Sequence, residues 1–240
     1  MLTVDLIRLG LNPGQTALDL GCGRGRHLHA LAADHGITTM GVDLSFAEVD
    51  HARQGLQWLQ ACGDQTGYPA GFAVGDAGGL PFAANTFDVV VCSEVLEHLP
   101  NYERTLDEIA RVLKPRGRFA LSVPRYWPEA LCWRLSEGYR STPGGHVRIF
   151  KAAELAHAVT ARGFAFQARH YAHGLHAPYW WLQCALWARR EAHPWVRAYQ
   201  RFLEWDILNR PRLTRWLARL ADPVMGKSVV MYFQAQGRAA

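Results

Sequence analysis

Residues 16–25 read Thr16-Ala-Leu-Asp-Leu-Gly-Cys-Gly-Arg-Gly25. A short apolar strand runs into three glycines at alternate positions, and a helix-compatible segment follows. Glycine has no Cβ to hold a ligand away, so such a joint lets backbone N–H groups approach it closely. Strand, glycine turn and helix in that order mark a sheet-and-helix fold. Such a fold binds a nucleotide-like cofactor at the C-terminal end of its first strand.

Outward from this joint, short apolar runs alternate with amphipathic stretches. Strands are predicted at 17–20, 38–42, 71–74, 87–92, 118–123 and 164–169. Helices are predicted at 24–35, after Ser45 as N-cap, at 102–113 and at 151–162. Pro115 and Gly117 stop the third helix. Phe87 to Cys92 is a continuous apolar run, as expected of a strand buried on both faces. This order implies a mostly parallel sheet with right-handed crossovers. A last strand, 228–234, follows no simple crossover and suits an antiparallel position.

Between the last two strands lies an interruption, Tyr171 to Asp222. It carries six tryptophans (180, 181, 187, 195, 205 and 216) and eight arginines against four acids. Its periodicity is helical, and a surface loop has no reason to be so aromatic. Three units are therefore expected: a cofactor-binding core at 1–170, a helical cap at 171–222, and a final strand with tail at 223–240. The cap's aromatics either form a small core of their own, line an apolar substrate pocket, or rest on an anionic membrane surface.

The 240 residues are 49% apolar, enough for one large core and a modest lobe. A formal charge of +5 with scattered arginines is weak support for a nucleic-acid partner, and none is expected. Five widely spaced cysteines without a CxxC argue against a disulfide scaffold or zinc knot. The start lacks the pattern of a signal peptide, and no apolar run reaches 18 residues. A cytoplasmic setting is the expectation, with peripheral membrane contact through the insertion as an alternative.

Asp19-Leu-Gly-Cys-Gly-Arg-Gly25, Asp43, Gly75-Asp76-Ala77, Leu80-Pro-Phe82, Phe87-Asp-Val-Val-Val-Cys92 and Arg111-Val-Leu-Lys-Pro-Arg-Gly117 together resemble the class I S-adenosylmethionine-dependent methyltransferases, over about residues 12–170. The likeness is to the small-molecule branch that includes ubiquinone and sterol methyltransferases. It implies a Rossmann-like α/β fold of seven strands in the order 3-2-1-4-5-7-6, the last antiparallel. It also implies S-adenosyl-L-methionine as cofactor and S-adenosyl-L-homocysteine as product. Gly21, Gly23 and Gly25 would admit the methionyl part, and Asp19 would reach its ammonium directly or through water. Asp43 would accept both ribose hydroxyls, and Leu44 would touch the adenine. Asp76 and Ala77 would address the adenine edge, with Cys92 also at the cofactor. A nicotinamide reading is disfavoured, because the glycines read G-C-G-R-G rather than G-x-G-x-x-G.

Past strand four, Glu94, Glu97 and His98 share one side of any helical turn. They could cap structure, bind substrate, supply a base, or hold a divalent metal as similar ubiquinone O-methyltransferases do. No metal is assigned. Gly144-Gly-His-Val-Arg-Ile-Phe150 offers His146 as a second base and Arg148 for an anionic group. His98 and His146 are the candidate catalytic bases, since an imidazole titrates near neutrality. His170, His173 and His176, spaced by three, would face substrate, only pack, or, if a helical turn aligned them, bind a metal. Trp180 and Trp181 are candidate substrate contacts from the cap. The expected reaction is in-line methyl transfer to a small, apolar or aromatic acceptor, with O-methylation favoured. A tRNA or protein methyltransferase, and a non-catalytic module of the same fold, are the competing readings.

Overall fold

The computed structural model describes residues 1–34, 36–62 and 69–237. Seven strands form one sheet: β1 Thr16–Leu20, β2 Thr38–Asp43, β3 Ala70–Val74, β4 Phe87–Ser93, β5 Leu113–Pro124, β6 Phe164–Ala172 and β7 Ser228–Ala235. Their order is β3-β2-β1-β4-β5-β7-β6. β7 pairs antiparallel with both β5 and β6, and every other pairing is parallel. This is the order that the resemblance implies.

Alternation along the strands builds two cores. Val90 and Cys92 of β4, with Val229, Met231 and Phe233 of β7, face one side. Val89 and Val91, with Val230 and Tyr232, face the other. A period of two sends successive side chains to opposite faces, so a strand apolar throughout must be covered on both. The covering helices are α1 Arg26–Asp34, α2 Phe46–Cys62, α3 Tyr102–Val112 and α6 Ala152–Thr160. Ser45 accepts the Glu48 N–H at 3.3 Å, the N-cap its sequence predicts.

Several recurrent polar residues turn out to hold the frame. Asp88 accepts the Thr16 N–H at 2.8 Å and Lys114 Nζ at 2.8 Å, tying together the starts of β1, β4 and β5. Arg111 donates to the Leu80 and Phe82 carbonyls, while Glu108 accepts the Leu80 N–H. The Leu80-Pro-Phe82 turn is thus clamped to α3.

The structure departs from the predicted bounds in several places. α1 begins at Arg26 rather than residue 24, and His35 lies outside the described residues. α3 stops at Val112, and the chain turns straight into β5 at Leu113 instead of residue 118. A register shift between Phe87 and Val89 accommodates Pro115 at that early end. Two unpredicted helices, α4 Tyr126–Leu135 and α5 Glu137–Arg140, follow β5. β6 runs on through Ala172, so the insertion starts later than residue 171. It comprises α7 Ala177–Ala185, α8 Pro194–Asn209 and α9 Arg212–Met225, and it ends later than 222.

Candidate active site

The glycine loop leaves β1 at the carboxyl edge of the sheet, where Leu44 and Asp76 are exposed. Gly21, Gly23 and Gly25 all have positive φ, at 71°, 49° and 81°. A Cβ on Gly21 would overlap Val95 Cγ2, whereas one on Gly23 would meet nothing closer than 3.8 Å. Gly21 is therefore fixed by close packing, and Gly23 presents bare backbone at that edge. This cradle fits the amino-acid end of a sulfonium nucleoside.

Asp43, at the end of β2, accepts the Gly23 N–H at 2.9 Å through one oxygen and the Ser45 N–H at 2.9 Å through the other. It shapes the loop and still keeps free lone pairs for a diol. Leu44 beside it is 75% exposed, an apolar surface suited to a flat base. Asp76 accepts the Gly78 N–H at 2.9 Å and is exposed, with Ala77 half-buried next to it. Asp19 sits under the loop, buried, and accepts the Leu28 N–H of α1 at 2.9 Å. Burial raises its carboxyl to about 7. One expected contact must be corrected. The Cys92 thiol is sealed in the core, with no exposure, because β4 is covered on both faces.

The predicted Glu94–Glu97–His98 triad separates. Glu94 has φ 58°, rare for a residue with a Cβ, and accepts the Ser122 Oγ–H at 2.7 Å. This strained position turns it toward a cavity of about 330 Å³ shared with Arg26, His173, Trp180, Lys227 and Ser228. Glu97 instead is wholly buried, and neither carboxylate oxygen has a hydrogen-bond partner. Burial, and then the Glu94 charge, push it well above the usual carboxylate range.

His146 takes the place expected of Glu94. Glu97, His98 and His146 bring one ligand atom each within 4.8 Å of one another. His98 donates Nδ1–H to the Gly144 carbonyl at 3.0 Å, leaving Nε2 free 3.9 Å from Glu97 Oε1. His146 Nδ1 lies 2.7 Å from Glu129 Oε1, so its Nε2 is also free. Outer-shell partners on Nδ1 and an unpaired carboxylate are what two imidazoles need to bind a divalent cation. The donors fit such an ion, and the same free nitrogens fit a base.

Glu129 and Lys227, 3.3 Å apart, are functional candidates that sequence reasoning missed. Burial would lift the Glu129 carboxyl, but the His146 hydrogen bond and the Lys227 charge outweigh it and hold it at about 2. Lys227 also lies 5.0 Å from the Trp180 ring. The polar chain His98, His146, Glu129, Lys227 thus runs from a cavity of about 310 Å³ beside His98 to the cavity at Glu94. One local signal was available: Pro128 and Glu129 are a proline and an acid in the first turn of α4.

Other candidates resolve individually. Arg148 is not turned to a ligand: it donates to the Pro100 carbonyl at 2.6 Å and lies over Tyr102. Trp181 donates to the Pro128 carbonyl and packs on Trp127, fastening α7 to α4. Trp180 does line the cavity at Glu94. His170 stacks on Tyr232, while His173 Nε2 is 3.0 Å from Thr3 Oγ1. His170 is in a strand and His173 has φ 66°, so with His176 they share no helical face. All three line a cavity of about 700 Å³ between the N-terminal segment and α8–α9.

Sheet order, glycine loop and edge acid define an α/β domain built to hold a nucleoside cofactor at the carboxyl edge of its sheet. The methyltransferase-domain family matches residues 4–168, and the chain belongs to that family. It is 33% identical over 115 residues to the methyltransferase GfsG of Streptomyces halstedii, covering 48% of this chain and 40% of that protein. It is 32% identical over 148 residues to the sterol 24-C-methyltransferase of Eremothecium gossypii (62% and 36%). Against the 2-methyl-6-phytyl-1,4-hydroquinone methyltransferase of a Synechocystis strain the identity is 38% over 107 residues (45% and 31%). The matches thus span less than half the length of these relatives. Among solved structures, an S-adenosylmethionine-dependent methyltransferase of Methanosarcina mazei superposes with TM-score 0.64 at 18% identity, covering 99% of this chain and all of that one. The [4+2]-cyclase SpnF gives 0.64 at 20%, covering 96% and 78%. At such identities the likeness concerns the fold, which hosts more than one chemistry.

Proposed function

We propose that the protein transfers a methyl group from S-adenosylmethionine to a small, hydrophobic acceptor, with a hydroxyl oxygen as the favoured atom. The observation that carries this reading is the cavity at the carboxyl edge of the sheet. Strained Glu94, cationic Lys227 and the Trp180 ring meet there beside Arg26 of α1. Sterol and phytyl-hydroquinone methyltransferases among the relatives support a lipid-like or aromatic acceptor by their names.

When bound, the cofactor supplies a sulfonium methyl open to in-line displacement. The chain's residues supply alignment and exclusion of water, which lower such a barrier without covalent chemistry. Trp180 lays down an apolar wall, Glu94 accepts the hydroxyl hydrogen, and Lys227 steadies the developing oxyanion. His98 and His146 favour a second arrangement, in which their free Nε2 atoms take the proton from the neighbouring cavity.

Transfer of tritiated methyl to a panel of quinols and phenols tests both. Glu94→Gln is expected to lower kcat about 100-fold, with cofactor affinity unchanged. An unchanged kcat, together with a collapsed rate in His146→Ala, would move proton removal to the histidine pair. A panel without any acceptor would sink the reading itself.

A further inference from the structure

α9 carries two exposed stripes. Leu213, Trp216, Leu217, Leu220 and Val224 are 65%, 56%, 39%, 55% and 62% exposed. At about 100° per residue they fall within roughly 100° of arc. Arg212, Arg215 and Arg219, also exposed, occupy the adjacent arc. Thr214, buried, and Ala218 and Asp222, part-buried, turn inward, and Asp222 accepts the Gly174 N–H at 2.7 Å. The helix is therefore anchored on its small, polar side and leaves its apolar side to the surroundings.

α8 extends the same character to the turn at Arg210–Pro211. Trp195, Trp205 and Leu208 are 71%, 48% and 82% exposed, with Arg197 and Arg201 between them. The six arginines of this hairpin (197, 201, 210, 212, 215 and 219) form no ion pair among the described residues. Its exposed acid is Glu204, held by Gln200.

We propose that the α8–α9 hairpin docks on an anionic lipid bilayer, with the α9 apolar stripe in the acyl–headgroup boundary and the arginines on lipid phosphates. An apolar stripe rich in tryptophan and flanked by arginine suits that boundary. A second copy of this chain is the poorer occupant. Self-pairing along the stripe would set arginine rows against each other with little acid to offset them.

Docking also has a route inward. Asp206, Ala218 and Asp222, on the inner sides of α8 and α9, line the 700 Å³ cavity. That cavity shares Met1, Thr3, His173 and His176 with the cavity at Glu94. Thr3 and His173, whose side chains are 3.0 Å apart, line both cavities, so an acceptor drawn from the bilayer would have to pass that contact to reach the sheet edge. This delivery role rests on the function proposed above, whereas the docking does not.

Co-sedimentation with vesicles tests the docking without cofactor or acceptor. Vesicles of 7:3 phosphatidylcholine:phosphatidylglycerol are expected to bind the protein, with a blue shift of tryptophan emission, and neutral vesicles to bind far less. The triple variant Arg212→Gln, Arg215→Gln, Arg219→Gln is expected to bind roughly fivefold more weakly per arginine. Trp216→Ser with Leu220→Ser, on exposed positions, is expected to abolish the emission shift while keeping the helical signal. Failure of the intact protein to bind anionic vesicles at low salt overturns the proposal. So does a wild-type dimer that the Trp216/Leu220 variant converts to monomer, which would assign the stripe to self-association. Weak vesicle binding alongside active methyl transfer overturns docking alone.

Discussion

His146 Nδ1 lies 2.7 Å from the carboxylate of Glu129, which is itself fully buried and bridged on its other oxygen to Lys227. The three groups come from α4, from the loop before α6 and from the turn before β7. A carboxylate so placed must stay paired, because one charge stripped of its partner in the interior is costly.

Glu129→Gln is expected to lower unfolding free energy by about 3–5 kcal/mol, read from the urea midpoint, since it strands the Lys227 charge. Wild-type Glu129 falls from about 4.5 unfolded to about 2 folded, so its contribution is complete above pH 4.5 and fades as pH drops toward 2. The variant's deficit should shrink across that window. A constant deficit would mean that the pair is not ionic.

Gly21→Ala is expected to abolish measurable cofactor binding by calorimetry, because its Cβ would overlap Val95 and its φ of 71° disfavours a side chain. Adding Val95→Ala removes the overlap but not the backbone strain, so partial recovery is expected. Full recovery would show that φ has no bearing on the loop, and no recovery that Val95 is not the obstacle.

Asp43→Ala is expected to weaken cofactor affinity tenfold or more. It removes the acceptor for Gly23 N–H and Ser45 N–H as well as the candidate diol contact. Asp43→Asn keeps the shape with one acceptor fewer and should fall between. Unchanged affinity in Asp43→Ala would place the ribose elsewhere.

Acid should release the N-terminal segment. His27 Nε2 accepts the Thr3 and Val4 N–H groups, which only a neutral ring can do. Burial, and then neighbouring cations, hold His27 at about 3; burial, and then His176, do the same for His173. Unfolded, both protonate near 6.5, so stability is lost as pH falls from 6.5 toward 3. Asp19, raised from 3.8 to about 7, acts in the opposite sense within that range. Glu97, pushed well above the usual carboxylate range by burial, acts with Asp19, so the release is read locally at the segment that His27 anchors rather than from the global slope. Hydrogen exchange at Thr3 and Val4 should accelerate between pH 7 and 5, and rates that follow only the chemical pH dependence would exclude this anchor.

The sheet was legible because each strand advertises itself: β4 and β7 are apolar on both faces, and the glycine loop marks where β1 ends. The candidate residues Asp43, Leu44 and Asp76 could be picked out for the same reason, since they lie at or within two residues of a strand end. The polar chain was not. Glu129 and His146 are 17 residues apart on different elements, and Lys227 is 98 from Glu129, so no local period connects them. Cys92 and Arg148 misled in the opposite way: proximity in the chain to the site did not mean that the side chain pointed into it. The left-handed turn at Glu94 split a trio that helical spacing would have aligned.

β7, last of the strands to be synthesised, lies between two made earlier, β5 and β6. A ribosome-bound chain lacking it would present two open edges with unpaired backbone, a recognised hazard for sticking to other chains. The fold cannot close until residue 235 has emerged, so its final cooperative step waits on a contact of long sequence separation. Shortening the chain ahead of Ser228 would therefore leave not a trimmed protein but a sheet missing its keystone.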